Sequence, residues 1–226
     1  MKRVSEKAFL VLCFVVSLVL PSTSSAAYIY GTATPDGGCA ITFYGDIVES
    51  DASRFELVSS ICTIGKTGGV LFGSGGGSLR AGLIIGEKIR QLGLETAVSY
   101  DTVCASACAL AWLGGKTRKM FESSRIGFHT SYYLQNGTPI RSQIGNGEIM
   151  EYLSDLGFPQ AVFGYATQAG PLEMNWIRYW KAEQIGVPVD VLGDEDRFWV
   201  DQLQQTTPHR ELWIDQLLQN TPFTEE

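Results

Sequence analysis

The sequence predicts a single α/β domain behind a short N-terminal leader. Three observations indicate this fold class. β-rich runs alternate with stretches of helical apolar spacing, glycine-rich turns separate the two, and the roughly 200 residues after the leader are enough for one hydrophobic core. Alternation of strand and helix is typical of a largely parallel sheet covered by helices.

Residues 1–27 have the pattern of a cleaved secretory signal peptide. Met1-Lys2-Arg3 begins the chain, an apolar run covers Ala8–Leu20, and small residues lead to Ala26-Ala27. The apolar run is shorter than the roughly 20 residues that a membrane span needs, which makes an uncleaved anchor the weaker alternative. We therefore expect an exported protein, periplasmic or secreted, with no stable membrane insertion after cleavage.

The charge balance excludes one class of partner. The formal net charge is −7 at pH 7, and the leader carries three basic residues and one acidic residue, so its removal makes the chain more acidic still. An acidic surface repels phosphate backbones, and we expect no nucleic-acid partner.

The domain is predicted to cover residues 28–192. Gly93 is a typical helix stop after the apolar stripe of Leu79–Leu92, and Asn136–Thr138 indicates a loop before a mostly helical second half from about Arg141. The predicted strands are Tyr28–Thr34, Ala40–Tyr44, Gly69–Phe72, Glu95–Tyr100, Lys119–Phe121 and Arg125–His129, and the predicted helices before the loop are Glu49–Cys62, Leu79–Leu92 and Ala109–Leu113.

Residues 193–226 are predicted to form a helical tail with a short internal repeat. Phe198–Leu203 recurs fourteen residues later as Leu212–Leu217, and each copy is followed by Thr-Pro. Two copies are too few for a solenoid. The favoured interpretation is a pair of amphipathic helices that pack on the domain, and the alternative is a docking surface for another subunit.

Four cysteines remain after the leader: Cys39, Cys62, Cys104 and Cys108. In an exported protein they permit two disulfides, and the sequence leaves all three pairings open. Their spacings do not fit a zinc site, and the chain has two histidines, His129 and His209. We expect neither a metal nor a cofactor.

Three segments carry residues suited to acyl transfer. Ser74–Ser78 is a glycine-rich loop whose unobstructed backbone N–H groups could stabilise an oxyanion. Ser106 lies among small residues where a loop enters a helix, so its hydroxyl can be exposed as a nucleophile. His129 ends a predicted strand, a rigid place for a general base. The glycine run lacks the last glycine of a dinucleotide fingerprint, which argues against that use.

These segments resemble those of Clp-type serine peptidases. Gly73–Gly82 is similar to their S-P-G-G-S-x-x-A-G segment, Cys104–Gly115 resembles their nucleophile segment, and Arg125–His129 resembles their base-bearing strand. The separation of 23 residues between Ser106 and His129 is close to that of the family, and the resemblance covers roughly residues 38–190. The C-A-S-A-C segment resembles an exported, periplasmic branch of these proteins.

The resemblance implies a ClpP/crotonase-like spiral of ββα units with C-terminal helices, and a role for each matched residue. Ser106 is the nucleophile, His129 is the base, and the N–H groups of Gly77 and Ala107 form the oxyanion hole, with Gly76 as a further candidate. Glu173 is the candidate third member of a triad. The proline of the family's glycine segment is Gly75 here.

The implied function is an exported serine hydrolase, a peptidase that acts on peptides or proteins through an acyl-enzyme, and the family also makes a homo-oligomer a candidate. Three alternatives remain open at this stage. Cys104 or Cys108 could be the nucleophile, although both are more easily explained as disulfide partners that brace the Ser106 turn. The fold could serve an inactive binding or scaffold protein of the periplasm. It could also host acyl-CoA chemistry, which export argues against.

Overall fold

The computed structural model describes residues 26–34 and 37–205. The strands, in chain order, are β1 (Tyr28–Ala33), β2 (Cys39–Tyr44), β3 (Gly68–Gly73), β4 (Glu95–Val98), β5 (Val103–Ala105), β6 (Arg118–Phe121), β7 (Arg125–Phe128), β8 (Tyr132–Gln135), β9 (Thr138–Arg141), β10 (Asn175–Ile177) and β11 (Asp190–Leu192). The helices are α1 (Asp51–Ser59), α2 (Leu79–Leu92), α3 (Ala107–Leu113), α4 (Gln143–Asp155), α5 (Gln160–Gln168), α6 (Tyr179–Ile185) and α7 (Arg197–Gln205).

Six strands form the main sheet in the order β1-β2-β3-β4-β6-β11. The β1–β2 pair is antiparallel, and every other neighbouring pair is parallel. The apolar centre of β3, at Val70, Leu71 and Phe72, is buried, as expected for a central parallel strand covered on both faces. The predicted α/β class is therefore confirmed.

A smaller sheet, in the order β10-β7-β5, brings the candidate catalytic residues together. β5 and β7 run parallel, with Ala105 opposite Gly127. Parallel strands end at the same edge of a sheet, so Ser106, which follows β5, and His129, which follows β7, emerge side by side.

Helices α2 and α3 pack closely because small residues line their contact. A Cβ on Gly82 would lie 2.6 Å from the carbonyl oxygen of Ala107, and one on Gly86 would lie 2.0 Å from the hydroxyl oxygen of Tyr152. Tyr152 is buried and donates its hydroxyl hydrogen to the carbonyl oxygen of Leu110 at 2.9 Å. This packing fixes the position of α3, which begins directly after Ser106.

The second half contains more strand than the sequence predicts. The predicted loop at Asn136–Thr138 is the turn of an antiparallel hairpin, β8–β9, in which Asn136 and Gly137 have φ of 52° and 78°. Positive φ at both central residues is the geometry of the Asn-Gly hairpin turn. The strands were missed because the whole of β8 is exposed and shows no alternation of apolar and polar residues. Strands β5, β10 and β11 have three residues each, too few to show a period.

Helix α7 packs on the outer face of the main sheet. Trp199 and Leu203 contact a second hydrophobic cluster, which contains Leu71 and Phe121 of the sheet and Val200 of the helix. The first copy of the repeat is thus an amphipathic helix that packs on the domain, and the second copy and His209 lie outside the described residues. Within the described ranges, no helix is long and apolar enough to cross a membrane.

Candidate active site

Ser106 occupies an unusual backbone conformation at the junction of β5 and α3. Its φ of 55° and ψ of −124° lie in a region that residues with a side chain rarely adopt. Its N–H donates to the carbonyl oxygen of Gly127 at 2.8 Å, which ties the turn to β7. Although Ser106 precedes the helix, its hydroxyl makes no capping hydrogen bond. The turn therefore presents the hydroxyl outward.

The hydroxyl of Ser106 contacts the imidazole of His129. Ser106 Oγ and His129 Nε2 are 2.8 Å apart, the distance of a serine–histidine pair in which the imidazole can remove the hydroxyl proton. The imidazole ring also lies beside the ring of Tyr132, with 5.7 Å between the centroids. The structure thus brings together the predicted nucleophile and base.

Burial lowers the pKa of His129, because removal from water disfavours the charged imidazolium. The backbone of Thr130 has a smaller effect that raises the pKa of His129. Nδ1 of His129 is buried and has no hydrogen-bond partner of ordinary geometry among the described residues. A lowered pKa keeps the imidazole neutral near pH 7, the state in which it can act as a base.

Glu173 is not the partner of His129 in this structure. Its Oε2 accepts a hydrogen bond from the N–H of Gly170 at 2.9 Å, and its side chain is exposed. The predicted triad contact is therefore absent, and Glu173 instead closes its own surface loop. The assignment rested on the family resemblance alone, which does not specify the side chain that faces His129.

A buried side-chain amide, which no sequence pattern indicates, holds the chain directly after His129 in place. Asn146, on α4, accepts hydrogen bonds at Oδ1 from Thr130 Oγ1 at 3.1 Å and from the N–H of Ser131 at 2.9 Å. Its Nδ2 donates to Thr130 Oγ1 at 2.8 Å, and the N–H of Thr130 donates to the carbonyl oxygen of Ala169. This network restrains the backbone that carries the imidazole, in the absence of a carboxylate at Nδ1.

The amide of Gly77 is directed away from the backbone that it packs against. Ile47 and Gly77 form a parallel β-bridge. The N–H of Ile47 donates to the carbonyl oxygen of Gly76, and the carbonyl oxygen of Ile47 accepts from the N–H of Ser78, both at 2.7 Å. In such a bridge the residue between the two partners turns its own N–H to the other side. Within the described residues neither Gly77 nor Ala107 has a partner for its N–H, and both line the same cavity as Ser106. Both amides are therefore available to act as the oxyanion-hole donors that the resemblance implies.

Gly76, the further candidate, does not contribute a free amide. Its N–H donates to Ser74 Oγ at 3.1 Å. The buried Ser74 also donates its hydroxyl hydrogen to the carbonyl oxygen of Gly45 at 2.6 Å, so it organises the glycine loop from inside. The lack of a side chain at Gly76 allows the glycine loop to approach Ser106 closely, because a Cβ there would lie 2.6 Å from the Cβ of Ser106. Sequence reasoning placed Ser74 in the segment but missed this role.

The four cysteines of the domain form two disulfides, Cys39–Cys62 and Cys104–Cys108. The second pair flanks Ser106 by two residues on each side, with a Cα–Cα distance of 5.2 Å. Neither Cys104 nor Cys108 is then a free thiolate, and this excludes them as nucleophiles in the oxidised protein. Among the described residues there is also no group of three potential metal-ligating side chains.

A cavity of about 380 Å³ opens beside Ser106 and His129. Its lining is mixed: Leu79, Leu110, Phe128, Ile149 and Ala166 give it apolar surface, and Ser78, Thr130, Ser131 and Tyr132 also line it. A cavity that combines apolar surface with convergent polar groups can bind an organic substrate. The arrangement has a nucleophile, a neutral base, two free amides and space for one side chain of an acyl group.

The architecture is that of the ClpP-like fold, as comparison with solved structures shows. No family profile matches the sequence, and no curated protein matches it.

The chain is similar to the 1510-N membrane-bound stomatin-specific protease. A serine-to-alanine variant of that protease has 18% sequence identity and a TM-score of 0.53, over 74% of this chain and 81% of the other. A lysine-to-alanine variant in complex with a substrate peptide gives the same identity and TM-score, over 74% and 76% of the two chains. A variant of ClpP1 from Listeria monocytogenes has 17% identity and a TM-score of 0.50, over 70% and 92%. These likenesses establish the fold.

Proposed function

We propose that the protein is an exported serine hydrolase, and that it cleaves peptide bonds through an acyl-enzyme on Ser106. The observation that carries the proposal is the contact of 2.8 Å between Ser106 Oγ and His129 Nε2, beside the free amides of Gly77 and Ala107. Ser106 attacks the carbonyl carbon while His129 takes its proton. The resulting oxyanion accepts hydrogen bonds from the two amides. His129 then protonates the leaving amine, and water hydrolyses the ester in the reverse sequence of proton transfers.

Within the described part of the chain, Nδ1 of His129 neither accepts nor donates a hydrogen bond of ordinary geometry, so we infer a serine–histidine pair that works without a carboxylate. The carboxylate of a triad orients the imidazole and stabilises its charged form. Here Asn146 orients the imidazole indirectly, because its hydrogen bonds hold the backbone that follows His129. Burial lowers the pKa of His129 and so keeps the imidazole neutral. Loss of charge stabilisation makes the pair a weaker catalyst than a full triad.

Peptides are the substrate class that we propose. The apolar part of the cavity lining, which includes Leu79, Leu110 and Ile149, fits an apolar side chain at the acyl position. The similar stomatin-specific protease has been captured with a substrate peptide, which supports a peptide substrate for this fold.

Labelling with a fluorophosphonate probe tests the proposal. The purified, oxidised protein should react, and both Ser106→Ala and His129→Ala should abolish or nearly abolish labelling. Ser60→Ala, an exposed serine away from the cavity, is the matched control and should label at the wild-type rate. A folded wild-type protein that stays unlabelled would instead support the alternative, a binding or scaffold protein with this fold.

A further inference from the structure

Ala27 lies inside the folded domain, although the sequence pattern assigns it to the leader. Its side chain is fully buried and belongs to the main hydrophobic cluster, whereas Ala26 is exposed. The N–H of Ala27 donates to Asp51 Oδ2 at 3.2 Å, and its carbonyl oxygen accepts from Arg54 Nη1 at 2.7 Å. Cleavage after Ala27 would remove a core residue and both of these contacts.

Asp51, which accepts the hydrogen bond from the N–H of Ala27, is a fully buried carboxylate. Its Oδ2 also accepts from the N–H of Val48 at 2.8 Å, and its Oδ1 pairs with Arg54 Nη1 at 2.5 Å. Arg54 is 43% exposed, so solvent screens part of its charge. A buried carboxylate is stabilised by a second cation beside its other oxygen, and the backbone nitrogen of Ala27 lies 3.2 Å from that oxygen.

We propose that the Ala26–Ala27 bond is the processing site, and that the new α-ammonium group of Ala27 forms a buried ion pair with Asp51. The inference rests on the export part of the proposed function. Ser24 and Ala26 supply the small residues that a leader peptidase requires before the cleaved bond. Water adds across the amide: the carboxylate leaves on Ala26 with the leader, and the protonated amine remains on Ala27. Processing thus converts a neutral N–H donor into a cation at a buried anion.

The ion pair is linked to the oxyanion hole by a short segment of chain. The amide of Val48 donates to Asp51 Oδ2, and the adjacent Ile47 holds both Gly76 and Ser78 through backbone hydrogen bonds. Gly77 lies between these two anchor points. Formation of the ion pair therefore stabilises the segment that positions the Gly77 amide, and it makes full activity depend on removal of the leader.

The cleavage site is tested by export of the full-length chain in a bacterial host, followed by intact mass and N-terminal sequencing of the product. We expect the mature chain to begin Ala-Tyr-Ile-Tyr, from Ala27 onward. A product that begins at Tyr28, or at any residue before Ala27, would overturn the assignment.

The ion pair is tested separately, with chains that start at a chosen residue after removal of a fusion partner. A chain that starts at Ala27 should melt at least about 3 °C above one that starts at Ser25, because only the former has a charge at this nitrogen. It should also label faster with the fluorophosphonate probe. Equal melting temperatures would contradict the ion pair, whatever the labelling shows.

A double-mutant cycle attributes the difference to Asp51. In Asp51→Asn, the melting temperatures of the Ala27 and Ser25 starts should become equal. Glu56→Gln removes an exposed carboxylate from the same helix and should leave the difference unchanged. A difference that survives in Asp51→Asn would overturn the proposal. Because melting temperatures do not require catalysis, failure of the ion pair and failure of the hydrolase proposal give different results.

Discussion

At the scale of single residues, the site depends on a strained serine that its neighbours hold in place. A positive φ at a residue with a side chain costs about 1–3 kcal/mol. Ser106 is held by its hydrogen bond to Gly127 and by the bond from the N–H of Ala105 to the carbonyl of Ser74 at 3.0 Å. In this conformation Oγ of Ser106 contacts His129 and does not cap the backbone N–H groups of the first turn of α3.

Gly76 offers the sharpest test of this packing. We expect Gly76→Ala to lower fluorophosphonate labelling at least about 100-fold, because the new Cβ would lie 2.6 Å from both Ser106 Cβ and the Ala105 carbonyl oxygen, and φ is 102°. Gly75→Ala is the matched control. A Cβ at Gly75 meets no atom within 4 Å, and labelling should stay within about threefold of wild type. Equal rates in the two variants would show that the close approach at Gly76 is unimportant.

The lowered pKa of His129 predicts the pH dependence of activity. The neutral imidazole is the active form, so the labelling rate should fall as pH falls through the folded-state pKa, which lies below the ordinary value of about 6.5. The acid limb of a plot of rate against pH should therefore have its midpoint below 6.5. A midpoint above 6.5 would require a stabilised imidazolium, and hence an acidic partner at Nδ1.

The same shift affects folding stability. Below pH 6.5 the unfolded chain binds a proton at this histidine more readily than the folded one, so this contribution makes the free energy of unfolding rise with pH up to about 6.5 and then level off. His129→Gln should flatten that dependence in urea titrations at several pH values.

At the scale of elements, the contact between α2 and α3 reverses the usual effect of a glycine-to-alanine change. Alanine is favoured over glycine in a helix interior by about 1 kcal/mol. Gly147 in α4 has open space around it, so Gly147→Ala should raise the free energy of unfolding by up to about 1 kcal/mol. Gly82→Ala should lower it by about 1–3 kcal/mol, because the new Cβ would collide with Ala107. Urea denaturation followed by circular dichroism measures both, and the same sign in both would refute the packing argument.

The elements also show what sequence could and could not predict. The Ser106 turn and the His129 strand were found because small residues around a serine and a strand-end histidine are local patterns. Their contact depends on the register of β5 with β7, which is a pairing between distant segments. Asn146 could not be found for the same reason. It acts on Thr130 and Ser131 from a helix that begins more than ten residues later, and an asparagine in a helix has no distinctive pattern.

At the scale of the whole molecule, the two disulfides divide stability and function between them. In the chain-entropy description, a disulfide stabilises more when it closes a longer loop. Cys39–Cys62 has a sequence separation of 23, and Cys104–Cys108 has one of 4. These loops correspond to about 3 and about 2 kcal/mol. The short disulfide contributes less to the fold, but it closes the turn at whose centre Ser106 lies.

Paired alanine variants should separate these effects. Cys39→Ala with Cys62→Ala should lower the free energy of unfolding by about 3 kcal/mol and leave the labelling rate of the folded protein within about twofold. Cys104→Ala with Cys108→Ala should cost less stability but slow labelling at least about tenfold, because the strained conformation of Ser106 loses its covalent restraint. Guanidinium denaturation and labelling well below the melting temperature measure the two quantities.

A reductant added to the folded protein is not an equivalent experiment. Cys104 and Cys108 are both fully buried, so a thiol reagent reaches their disulfide only after the chain opens. We expect labelling to survive dithiothreitol in the folded state, and to be lost when a Cys39→Ala, Cys62→Ala protein is unfolded, reduced and refolded under the same reductant. Refolding in oxidised glutathione should restore it. If the reduced, refolded protein labels as fast as the oxidised one, the disulfide does not position Ser106, and the hydrogen bonds to Gly127 and Ser74 alone hold the turn.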